Sequence, residues 1–148
     1  MHRPLVTVAF TLTLASGAAR AQAPAEKPPP NAVQKEMALL HAMTVTALVA
    51  VENDALEPIP EALEKVHAAK EETEKAIESG AWKPPKPGAT VKDFVKQDQA
   101  FHKDLERLEE AAKKKDVTAT TRQLGVVLAG CTACHVKFKF VPPAPKPK

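Results

Sequence analysis

The sequence predicts an all-α fold, an up-down-up-down antiparallel four-helix bundle. Three observations carry this. The 14 prolines are bunched: apart from Pro4 they fall at 24–30, 58–60, 84–87 and 142–147. The stretches between are Pro-free and rich in Ala, Leu, Glu, Lys and Gln, all strong helix formers. No segment alternates apolar and polar residues with period two, so no strand is expected. Four helical segments with short links favour antiparallel neighbours.

Each element has its own signals. The first helix, α1, is expected over about 32–52, with Asn31 as N-cap. The second, α2, should start at Pro60, an acceptable first-turn proline, and end near Gly80. The third, α3, follows Thr90, which stands in capping-box spacing with Asp93, and ends around 113–115, where three lysines suit a C-terminus. The fourth, α4, is capped by Asp116 and runs to about Phe140.

The apolar faces fit a bundle. In α3, Val91, Phe94, Phe101, Leu105 and Leu108 form one stripe. A thinner stripe in α2 holds Leu63, Val66, Thr73 and Ile77. In α4, Leu124, Leu128, Cys131, His135 and Phe138 recur at spacings of three and four. In α1, Val33, Met37, Leu40, Thr44 and Leu48 share a face. From Met37 to Val51 the only ionisable residue of α1 is His41, so its outer face is apolar where a bundle helix should be polar. That run is too short to span a membrane. Either the helix lies centrally, or its outer face is covered by another chain.

The only two cysteines stand in Cys131-Thr132-Ala133-Cys134-His135. This is C-x-x-C-H, the attachment signature of a c-type haem. The thiols lie about one helical turn apart and can each add to one vinyl group of the same porphyrin. His135 follows and can supply an imidazole to the iron. A thioredoxin-type pair belongs at a helix N-terminus, where the thiol pKa is lowered, whereas this pair lies near the end of a helical segment. A structural zinc site needs four ligands, and only two thiolates exist.

The N-terminus agrees with export. Met1-His2-Arg3 is a short basic region, Leu5 to Leu14 is apolar, and Ala19-Arg20-Ala21 reads as a cleavage site. The expected organisation is a signal peptide over 1–21, a Pro-rich segment over 22–31, a haem domain over 32–140 and a disordered Pro/Lys tail over 141–148. Losing Arg3 and Arg20 takes Lys+Arg from 21 to 19 against 18 Asp+Glu, a net charge of about +1. There is no dense basic stripe interleaved with aromatics, so nucleic acid is not an expected partner. The expected compartment is the periplasm, an oxidising destination where haem c is assembled.

With these residues in view, the chain resembles the cytochrome c′ family, the class II c-type cytochromes. The likeness is strongest from Trp82 onward. Phe94-Val-Lys-Gln-Asp-Gln-Ala-Phe101 looks like the family's third helix, and the stretch 127–139 around the pentad looks like its haem helix. The pentad's place near the C-terminus selects this family over the common small cytochrome c fold. Where the family usually carries Arg beside the pentad, this chain has Ala129 and Lys139.

The resemblance implies one covalent haem c, His135 as axial ligand, a distal residue from α1 and, in agreement with that helix's apolar outer face, a homodimer through α1. Geometry points to the same helix. His135 lies five residues before the expected end of α4, and five residues into α1 is Met37. Met37 is therefore a candidate distal iron ligand, the competing reading being core packing over the iron. His41 and Met43 are rivals, about 6 Å and 9 Å further along the helix. His67 and His102 read as partly exposed helix histidines.

Two functions follow. One is a periplasmic electron carrier with an unidentified redox partner. The other is binding of a small gas, nitric oxide or carbon monoxide, at a five-coordinate iron. No acid, base or substrate pocket is legible near the iron beyond His41, so an enzyme is not expected. Gly125 and Gly130, costly inside α4, predict close approach of haem or a neighbouring helix.

Overall fold

The computed structural model describes residues 30–139. The expected signal peptide, the Pro-rich segment up to residue 29, Phe140 and the tail lie outside the described residues. Four helices and no strand are found among the residues described: α1 Ala32–Glu52, α2 Pro58–Glu78, α3 Val91–Lys113 and α4 Val117–Phe138. Each packs against its sequence neighbours, and α1 meets α4 to close a four-helix bundle. Packing is uneven. The α1–α2 and α3–α4 hairpins are tight, whereas the faces joining one hairpin to the other touch more sparsely.

The helix ends follow local chemistry. Asn31 and Gln34 form a reciprocal capping box, each side chain accepting the other's backbone N–H at 3.0 Å. The Asp116 side chain accepts from the Ala119 N–H. Thr90 Oγ1 accepts from the Asp93 N–H and donates to the Asp93 carboxylate, so the reciprocal bond reaches a side chain and not the cap's backbone. Two bounds differ from expectation. Helix α2 starts at Pro58, two residues early, because both Pro58 and Pro60 fit in a first turn whose N–H groups have no intrahelical acceptor. Helix α4 ends at Phe138, and Lys139 is extended.

The core holds Leu40, Met43, Leu63, Val66, Leu105, Leu108 and Val127 among others. At one end the link between α2 and α3 folds back over α4. Trp82 packs at a tilt against Phe94, ring centroids 4.6 Å apart, and Phe94 meets Phe138 edge-on at 5.2 Å. Lys86 Nζ donates to the Val136 carbonyl, one of the orphan acceptors of the last turn of α4.

Two stripes are turned relative to expectation. In α4 the inward seam is Thr120, Leu124, Val127 and Phe138, while Leu128 is 45 % exposed. The sequence contains two interleaved ladders of three-and-four spacing that share Leu124, Cys131 and Phe138. The bundle buries the one through Val127 and leaves the polar His135 in water, where its imidazole loses no hydration. In α1 the inward seam is Val33, Glu36, Leu40, Met43, Ala47 and Ala50. Leu48 and Val91, both expected inside, are 49 % and 37 % exposed. Met37 is partly buried and packs on the margin of the core.

Candidate functional site

Helix α4 carries Cys131 and Cys134 on one flank, both half-buried, and both are free thiols with no disulfide between them. Burial raises the pKa of Cys131. Burial, followed by the negative charges of Asp98, Cys131 and Glu36, pushes Cys134 up to about 11. A thioredoxin-type attacking thiol needs the opposite shift. Both shifts keep the half-buried thiols protonated.

His135 is exposed on α4, so it stands one residue round from the thiol flank and off the buried seam. Gly130, one turn before Cys134, lets Phe101 of α3 close in. A Cβ there would lie 2.8 Å from Phe101 Cδ2. That explains Gly130 by a neighbouring helix. Gly125 has no neighbour within 4 Å of such a Cβ, and nothing in the structure explains it.

The structure brings in residues that sequence reasoning missed. Glu36 of α1 and His102 of α3 are 0 % and 4 % exposed, and His102 Nε2 lies 3.0 Å from Glu36 Oε1. The backbones of α1 and α3 do not touch, so this bond crosses the diagonal of the bundle. Asp98, one turn before His102, brings Oδ1 to 3.8 Å from the same nitrogen. Burial pushes Asp98 up to about 6; the His102 charge opposes this and Glu36 adds to it. Glu36 Oε2 and His102 Nδ1 are buried with no hydrogen-bond partner among the described residues. Lys70 of α2 pairs with Glu74, and its charge reaches Asp98 and Glu36. His67 sits 6.0 Å from the His102 ring. The charges of Asp98 and Glu36 are felt at Cys134, so the cluster and the thiols occupy one neighbourhood.

The expected partly exposed His102 is thus a buried one. The available signal was weak. Glu36 falls three residues after Val33 and four before Leu40, which is seam spacing, and His102 stands four after Asp98. His67 remains part-exposed, 3.9 Å from Glu109. His41 is exposed, and Met43 is 1 % exposed in the core.

The donor set fits a c-type haem: two free, protonated, half-buried thiols one turn apart and an imidazole directly after them. Comparison with family models, curated proteins and solved structures finds no match. No described helix is long and apolar enough to cross a membrane.

Proposed function

We propose that the protein is a periplasmic mono-haem c-type cytochrome of cytochrome c′ type that carries electrons. The single observation that supports this is the pair of free thiols on one half-buried flank of α4, followed at once by His135. Each thiol would add its sulfur and hydrogen across one porphyrin vinyl group, giving two thioethers and no by-product. Cys131 and Cys134 would hold the group, and His135 would supply an imidazole to its iron. Haem c, when bound, supplies an iron that alternates between ferric and ferrous and so stores one electron. The distal candidate is Met37.

One observation favours the second reading, gas binding at a five-coordinate iron. The fully buried seam position of α1 belongs to Glu36, and Met37 sits at its margin, only partly buried. Both readings share the thiols and differ at Met37.

The test is the full chain expressed with its signal and a haem-attachment system. The expected product is red, heavier than the processed chain by one haem, and loses covalent haem in Cys131→Ser/Cys134→Ser. A colourless product of unmodified mass would refute the reading. A low-spin spectrum that turns high-spin in Met37→Ala marks the electron carrier. A high-spin spectrum that takes up nitric oxide marks the gas binder.

The apolar outer face of α1 supports a homodimer. Val45, Leu48 and Val49 are each about half exposed, at 49 %, 49 % and 51 %. Val45 and Val49 also line a shallow groove with Ala50, Ala55 and Pro58. Light scattering at micromolar concentration should give twice the chain mass and, in Val49→Lys, the single mass; a monomeric unmodified protein refutes it.

A further inference from the structure

Three potential ligand atoms, one each from Glu36, Asp98 and His102, lie within 4.8 Å of one another inside the bundle. None belongs to the pentad. We propose that Glu36, Asp98 and His102 form a binding site for a divalent transition-metal ion, separate from the haem-attachment residues.

Geometry comes first. Zinc and its neighbours hold nitrogen and oxygen donors at about 2.0–2.2 Å. Two donors on one such ion therefore stand roughly 3.0–3.5 Å apart at tetrahedral or octahedral angles. His102 Nε2 lies 3.0 Å from Glu36 Oε1 and 3.8 Å from Asp98 Oδ1. A small rotation of the Asp98 side chain closes the larger gap. Asp98 and His102 are one turn apart on α3, so a single helix presents two donors and α1 supplies the third from across the diagonal.

Charge and hydrogen bonding point the same way. Two carboxylates and a neutral imidazole around a divalent cation sum to zero, and Lys70, whose charge also reaches Asp98 and Glu36, is itself paired with Glu74. Glu36 Oε2 has no partner although it is fully buried, and a second oxygen of a ligating carboxylate is satisfied by the same ion. The imidazole selects a transition metal over calcium or magnesium, which prefer oxygen alone. Asp98, 11 % exposed, marks the side from which an ion enters.

Purified protein stripped with a chelator is titrated with zinc chloride by calorimetry. Bound zinc is counted by elemental mass spectrometry after gel filtration. The haem in the same sample is counted from its pyridine complex, so a failure of the cytochrome reading registers separately. The expected result is one zinc per chain and a higher Tm with zinc. Glu36→Gln, Asp98→Asn and His102→Gln should each weaken binding at least about tenfold, while His41→Ala, an exposed imidazole, leaves it unchanged. Folding of each variant is checked by circular dichroism, and the unmodified protein's own titration needs no variant. Absence of retained zinc, an unchanged affinity in a folded His102→Gln, or loss of binding in His41→Ala would overturn the proposal.

Discussion

Replacing His102 by leucine removes the only hydrogen-bond partner, among the described residues, of a carboxylate that is itself fully buried. Glu36 Oε1 bonds His102 at 3.0 Å, and Oε2 has no partner already. The leucine variant leaves an uncompensated buried acid, which costs about 3–5 kcal/mol. Glu36→Leu strands the imidazole instead, a loss of roughly 1–3 kcal/mol for a buried polar group left without its partner. Changing both residues to leucine removes both polar groups from a site lined by apolar core, and such exchanges are near neutral. The double variant should therefore be more stable than His102→Leu alone, with a coupling of about 4–8 kcal/mol from the three costs just given. Urea unfolding followed by far-UV circular dichroism at pH 7 in chelator measures all four corners of the cycle. If each single change costs under about 1 kcal/mol, or if the double loss equals the sum of the singles, the bond does not tie the core as argued.

The two glycines of α4 should respond in opposite directions. Gly125→Ala meets open space and should stabilise by about 1 kcal/mol through helix propensity, whereas Gly130→Ala drives a methyl against Phe101 at 2.8 Å and should cost about 1–3 kcal/mol; thermal melts of both report this. Asp98 should make stability fall with rising pH. Its pKa is raised from 3.8 to about 6, so its contribution is full below the unfolded value and is lost as pH climbs through about 6. Asp98→Asn, compared with the unmodified protein by urea midpoint at pH 4 and pH 7 in chelator, should flatten that slope; an equal slope in both proteins refutes it.

The helix ends were legible because caps and prolines act within a few residues. Asn31, Thr90 and Asp116 all cap as their side chains require. The thiol pentad was legible for the same reason. The faces were harder, since α4 holds two ladders of equal spacing and only the third dimension chooses between Val127 and Leu128. Likewise Glu36 looks like an ordinary surface acid until α3, 66 residues away in sequence, delivers His102 to it. A long-range polar pair leaves no periodic trace. The apolar outer side of α1 left one: Val45 and Val49 face outward, while Ala50 of the same apolar run turns into the core.

The uneven packing of the bundle divides it into two jaws. One is α1 with α2, the other α3 with α4, and the link at 79–90 joins them along one edge. The thiols belong to the second jaw. Anything wedged between the jaws displaces only the sparse faces, leaving both tight hairpins whole, and the tension falls on the Glu36–His102 bond that spans the gap.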